Sequence, residues 1–132
     1  MPFTRISLLA GRSPAYLRAL TDALDRALVD SFQVPPHDRF VAVHPHAPGE
    51  LLFDRHYRGG PRSDQYVLFY ITTGKPRSAA TKAAFYRQLV DELQRAPGIP
   101  AQDVMVVIAE SGWEDWSFGG GISAADDSAA TP

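Results

Sequence analysis

Cysteine is absent from the 132-residue chain. That excludes a disulfide framework, a thiolate metal site and a cysteine nucleophile, and a cytoplasmic protein is the simplest expectation. Charge of one sign is also lacking. Lys and Arg number 13 against 15 Asp and Glu, a net charge of -2, which leaves no electrostatic footprint for nucleic acid or an anionic membrane. No apolar run reaches the roughly 18 residues that a membrane span needs. The first residues lack the basic-then-apolar pattern of a leader, because Arg12 and Ser13 cut the apolar stretch short. His37, His44 and His46 cluster in sequence, but no carboxylate completes a ligand set with them. They are read as solvated loop histidines, and neither metal nor cofactor is expected. What is present is a hydrophobic fraction of 45%, enough for a real core in one domain of ordinary size.

The first half reads strand, helix, strand. Phe3 to Leu9 is apolar and β-prone. Ser13-Pro14 supplies an N-cap and a first-turn proline. Leu17, Leu20, Leu24 and Leu28 recur at helical spacing, and the helix should end near Phe32, before Val34-Pro35-Pro36. Phe40 to Val43 is a second strand. In the second half, Tyr66 to Ile71 is a continuous aromatic and β-branched strand. Ser78 then caps a helix carrying Phe85, Leu89 and Leu93, stopped by Pro97-Gly98, and Val104 to Ala109 is the last strand.

The halves match at an offset of 65 residues. Arg12-Ser13 becomes Arg77-Ser78, and VPPHDRFVAV from Val34 becomes IPAQDVMVVI from Ile99. This pattern predicts an α/β (α+β) fold: a duplicated βαβ unit, over about 2–46 and 65–110, giving a four-stranded mixed sheet with two helices on one face. Strands as apolar as VLFYI and VMVVIA cannot leave the other face to water, so self-association is expected. The connector from His44 to Asp64 is read as a loop with a short strand at Leu51 to Phe53. The single domain spans 1–122, and residues 123–132 read as a disordered tail. Trp113, Trp116 and Phe118 should dock before it, and a neighbouring subunit is one place for them.

If the units meet through their first strands, the sheet order is 2-1-3-4 and strands 1 and 3 are antiparallel. Pro2 then lies beside Gly74-Lys75-Pro76-Arg77, which follows strand 3, and beside Asp38, which precedes strand 2. The equivalent edge has Arg12 and Asp103, but Val67 and Ala10 stand at the counterparts of Pro2 and Lys75. Loss of Met1, usual before a small residue, would make Pro2 a secondary amine. An α-amino group titrates near pH ~7.7–8.0, a value lowered by burial and cations and raised by a carboxylate. Such an amine can take a proton beside a carbonyl, or donate one. Lys75 and Arg77 can hold a substrate carboxylate. This is chemistry on a small oxo-acid.

These residues, MPF at the start, VPxxDRF from Val34, KPRS from Lys75, the KAAFYRQL helix and DWSFG from Asp115, resemble the tautomerase superfamily. The similarity is closest to malonate semialdehyde decarboxylase-like proteins and covers the chain to about Gly121. The resemblance implies a tautomerase, or MIF-like, fold assembled as a homotrimer and a cofactor-independent enzyme, lyase or isomerase. It implies Pro2, Asp38 and Arg77 as catalytic residues and Lys75, Arg77, Trp116 and Phe118 as substrate-binding ones. Lys75 stands where the decarboxylase has its other arginine. The implied reaction takes 3-oxopropanoate to acetaldehyde and CO₂. The alternatives are keto–enol tautomerisation of 2-oxo acids such as phenylpyruvate, hydration of an unsaturated acid, and a catalytically silent trimeric scaffold. The related cis-chloroacrylate dehalogenases carry a histidine in the first helix, and ALDRALVDSF has none.

Overall fold

The computed structural model describes residues 2–127. Four strands and two helices follow in the order β1 (Pro2–Leu9), α1 (Pro14–Phe32), β2 (Phe40–His46), β3 (Val67–Thr73), α2 (Ala79–Arg95) and β4 (Val104–Glu110). Both helices start as their sequences dictate. The Ser13 hydroxyl accepts from the Tyr16 N–H at 3.1 Å, and the Ser78 hydroxyl accepts from the Thr81 N–H at 3.1 Å. Each cap satisfies an amide that the helix itself leaves unpaired. After Phe32, Gln33 takes a left-handed conformation (φ 56°) and ends α1 ahead of the two prolines.

The sheet order is β2-β1-β3-β4, with β1 and β2 parallel, β3 and β4 parallel, and β1 antiparallel to β3. This is the arrangement that the repeat predicts. The central pair is in register from Pro2↔Thr73 to Leu8↔Val67. Alternation then divides the side chains between two faces. Thr4, Ile6, Leu8, Val67, Phe69 and Ile71 turn towards the helices and are buried against Leu20, Leu24, Leu28, Phe85, Leu89 and Leu93. The rings of Phe32 and Phe85, 4.6 Å apart, close the core between the two helices. The opposite face carries Phe3, Arg5, Leu68, Tyr70, Met105 and Val107, with Met105 and Val107 exposed. Among the described residues no helix is long and apolar enough to cross a membrane.

Two expectations need correction. His44 and His46 are not loop residues, because β2 continues to His46. Pro45 is tolerated there because β2 is an edge strand, where a missing N–H costs no ladder bond on the open side. Leu51 to Phe53 forms no strand. The connector is instead folded locally, with the Asp54 carboxylate accepting from the His56 and Tyr57 N–H groups at 2.8 Å each. Those bonds favour the ionised carboxylate and lower the Asp54 pKa. Ser123 to Asp127 contain a turn with Ala124 buried, and the rest of the expected tail, 128–132, lies outside the described residues.

Asp103 is fully buried and accepts from both the N–H and the hydroxyl of Ser63, at 2.6 Å each. It ties the connector to the strand pair β3–β4. Asp103→Ala removes a double acceptor and leaves two donors of Ser63 unmatched. We expect a loss of about 2–3 kcal/mol in urea unfolding, and a loss below about 0.5 kcal/mol would contradict this role.

Candidate active site

Four of the expected site residues lie at one end of the sheet because of the register. Pro2 opens β1 and is buried, paired with Thr73, the last residue of β3. The β3–α2 loop leaves directly from Thr73 and carries Lys75 and Arg77. On the other side of β1, Phe3 pairs with Phe40, so Asp38, two residues earlier, sits on the flank of Pro2. Asp38 is half-buried in a turn closed by its own N–H to the Pro35 carbonyl, 3.1 Å. Its carboxylate has no hydrogen-bond or ion-pair partner among the described residues. Asp103, its repeat counterpart, has both oxygens engaged by Ser63. The shared sequence pattern thus yields one structural carboxylate and one open carboxylate.

The cations differ in their constraint. Lys75 is exposed and without an ion-pair partner among the described residues. Arg77 is held. Its guanidinium lies 4.3 Å from the ring centre of Phe32, at the end of α1, and donates to the Lys75 carbonyl at 3.2 Å. Burial lowers the Arg77 pKa, and the nearby Glu110 carboxylate works against that shift. Stacking leaves the edge of the guanidinium, where its fork of donors lies, available to an anion. Asp38 and Arg77 therefore belong to segments that flank β1 on its two sides, one ahead of β2 and one after β3, and carry unlike charge.

The aromatic segment docks on its own chain. The Ser111 N–H and hydroxyl both donate to the Thr73 carbonyl, at 2.9 and 2.7 Å, and the Ser111 hydroxyl accepts from the Trp116 indole N–H at 2.7 Å. Trp116 stacks on Phe118 (centroids 5.5 Å), and Phe118 stacks on Phe40 (6.4 Å). The segment therefore runs from the end of β3 to the start of β2, across the end of the sheet that Pro2 occupies. The Ala124 N–H to the Trp116 carbonyl, 2.8 Å, fastens it from behind.

Sequence reasoning missed Ser111, Phe40, Phe32 and Lys82. Lys82, in the first turns of α2, forms an ion pair with Glu110 at the end of β4. A signal was available for this pair: at the repeat offset of 65, the counterparts of Lys82 and Glu110 are Leu17 and Pro45, so the pair exists at the Pro2 end alone. A separate groove of about 300 Å³, lined by Arg58, Arg62, Tyr86 and Met105 among others, lies at the start of β4. It is remote from Pro2 and contains none of these residues.

Ser111→Ala keeps the backbone bond to Thr73 but unties the Trp116 indole. If the aromatic wall serves the Pro2 end, catalytic efficiency should fall several-fold, while core stability changes by about 1 kcal/mol. Steady-state kinetics beside a denaturant melt would check this. Unchanged kinetics would mean that the wall does not serve that end.

Comparison with known proteins agrees with this architecture. Two models described as "Tautomerase enzyme" match residues 38–119 and 2–59. The "Probable tautomerase YrdN" of Bacillus subtilis (strain 168) is 35% identical over 119 residues, covering 90% of this chain and 92% of that protein. A solved malonate semialdehyde decarboxylase is 38% identical with a TM-score of 0.84, covering 91% of this chain and 92% of the other. A fused 4-OT protein solved as a symmetric trimer is 21% identical with a TM-score of 0.73, covering 93% and 96%, and shares the fold. The repeated βαβ plan, the proline that opens its first strand and these matches over nine-tenths of the chain make the protein a member of the tautomerase superfamily.

Proposed function

We propose that the protein is a malonate semialdehyde decarboxylase-like enzyme that converts 3-oxopropanoate to acetaldehyde and CO₂, with Pro2 as its catalytic amine after removal of Met1. Met1 lies outside the described residues. The observation that carries this reading is the position of Pro2, paired with Thr73 at a sheet end with the open Asp38 carboxylate on one side and the Lys75–Arg77 loop on the other. The 38% identity to a malonate semialdehyde decarboxylase supports the substrate class.

In this mechanism Arg77 grips the substrate carboxylate by its fork and Lys75 adds a point charge. The Pro2 ammonium donates a hydrogen bond to the aldehyde oxygen, where negative charge develops. The bond between the carboxylate carbon and the methylene breaks, and its electron pair forms the enol(ate) of acetaldehyde as CO₂ departs. A solvent proton, delivered through the water that Asp38 can orient, then adds to the methylene carbon and completes acetaldehyde. The Asp38 carboxylate favours the charged form of Pro2 and can orient a water. The wall of Trp116 and Phe118 excludes solvent, which favours loss of carboxylate charge.

The reading extends to assembly as a homotrimer. The apolar residues Phe3, Leu68, Met105 and Val107 share the sheet face that no helix covers, and partner subunits would shield them. A second activity, tautomerisation of an aromatic 2-oxo acid such as phenylpyruvate, is favoured by one observation. Lys75 is a single point charge and cannot make the bidentate contact of an arginine, so it restrains a carboxylate less firmly while Phe40, Trp116 and Phe118 offer a ring surface.

A proton NMR time course with 3-oxopropanoate tests the proposal. The wild-type protein should produce acetaldehyde, and Pro2→Ala and Arg77→Ala should each lower the rate by about 100-fold or more. Asp38→Asn should lower the rate at unchanged stability, unlike its counterpart Asp103. No acetaldehyde from protein shown by intact mass to lack Met1 would sink the decarboxylase reading and turn attention to phenylpyruvate. Silence on both substrates would leave a scaffold.

A further inference from the structure

The ion pair behind Pro2 belongs to the site by geometry, yet none of the steps above uses it. Pro2, Thr73 and Glu110 form one row across three strands, Pro2↔Thr73 and Thr73↔Glu110. All three side chains point to the helix side, since Thr73 and Pro2 are buried there and Glu110 continues the alternation of Val104, Val106 and Ile108. Adjacent strands lie about 4.8 Å apart, so Glu110 is about 10 Å from Pro2 along the sheet. Lys82 reaches Glu110 from α2, one turn past the Arg77–Ser78 helix start. The Glu110 carboxylate also opposes the lowering of the Arg77 pKa by burial.

The loop after β3 and the first turns of α2 thus carry three cationic side chains, Lys75, Arg77 and Lys82, of which Lys82 is ion-paired; Arg39, ahead of β2, is held by the Thr21 carbonyl and lies near the Asp22 and Asp25 carboxylates. The side chains of Lys82 and Glu110 are both partly solvent-accessible, 27% and 38%, so neither is forced into the pair by burial. The counterparts of the pair in the other half are Leu17 and Pro45, so the fold holds its strands and helix together without it. The pair therefore occurs at the Pro2 end alone, while in the other half Leu17 packs against the core instead.

We propose that Glu110 is a specificity-determining residue: by pairing with Lys82 it withholds a third cation from the Pro2 end and matches that end to oxo-acids with one carboxylate rather than two. The inference rests on the reading of Lys75 and Arg77 as the carboxylate-binding cations. A monocarboxylate substrate is fully engaged by those two. A second carboxylate would need a further cation, and Lys82, the next cation along that loop and helix, is already neutralised by Glu110. Selectivity of this kind comes from refusing the wrong ligand rather than from extra contacts to the right one.

Calorimetric binding of propanoate and malonate, two unreactive acids with one and two carboxylates, tests this in the full-length protein. In the wild type the malonate-to-propanoate affinity ratio should be near one. Glu110→Gln frees Lys82 and should raise the ratio by about tenfold, a size expected for one new ion contact in a partly buried site. The double variant Lys82→Met with Glu110→Gln should return the ratio to the wild-type value. An unchanged ratio in Glu110→Gln, or a gain that survives in the double variant, overturns the proposal. The double variant, in which both partners are apolar or neutral as in the other half of the fold, also keeps the test valid if a lone Glu110 substitution unfolds. Absence of any propanoate or malonate binding that depends on Arg77 would instead overturn the carboxylate-site reading, and this inference with it.

Discussion

The antiparallel pairing of β1 with β3 organises everything else in the molecule. Each βαβ unit could form its own parallel pair, but two strands and a helix cannot bury enough apolar surface to offset the entropy of ordering them. Joining the units through their first strands makes a four-stranded sheet under two helices and gives Leu20, Leu24, Phe85 and Leu89 a common core. The same pairing fixes where chain ends fall. Because the strands are antiparallel, the head of β1 must meet the tail of β3, and Pro2 is set against Thr73. A slip of one residue would send Ile6 and Phe69 to the opposite face and lose the core. The position of the amine is therefore enforced by the packing of residues far from it.

Duplication supplies two equivalent edges, and the chemistry comes from how they differ. Asp38 and Asp103 occupy matching positions, each just ahead of an outer strand. Asp103 is saturated by Ser63 and buried, which makes it a structural joint. Asp38 has a turn behind it and no side-chain partner among the described residues. A carboxylate without a hydrogen-bond or ion-pair partner contributes little to the stability of the fold. Arg12 and Arg77 diverge in the same way. Arg12 donates to the Asp64 carbonyl and lies over Tyr16, within the connector's own network. Arg77 is stacked on Phe32 and spends one donor on the Lys75 carbonyl, with the remaining donors unpaired among the described residues.

The topology was legible in the sequence because it follows from local signals repeated twice. Caps at Ser13 and Ser78, leucine spacing in α1 and the offset of 65 together leave few arrangements of four strands. The convergence of Pro2, Asp38, Lys75 and Arg77 followed from that topology. Other features resisted because their causes are non-local. Pro45 in a strand makes sense only once β2 is known to be an edge. The docking of Trp116 depends on a serine hydroxyl meeting the Thr73 carbonyl, and nothing in DWSFG announces Ser111 as its anchor. The Glu110–Lys82 pair joins residues 28 apart in sequence, through a helix whose register must be known first.

These non-local contacts act together on the charge at Pro2. The aromatic segment is tied to the Thr73 carbonyl and thereby to the strand that pairs with Pro2. Its rings put apolar surface at that end, and electrostatic interactions are stronger where apolar surface displaces water. Two free cations and one free carboxylate in such a place set strict requirements on a ligand: an anion of limited charge meets complementary groups, and a neutral or doubly charged molecule leaves one group unmatched. The Lys82–Glu110 pair keeps that balance by cancelling a charge that the helix start would otherwise add. Fold, wall and ion pair are separate in sequence, but all three are referenced to the last residues of β3 and β4, so the geometry around the amine is set by the ends of two strands.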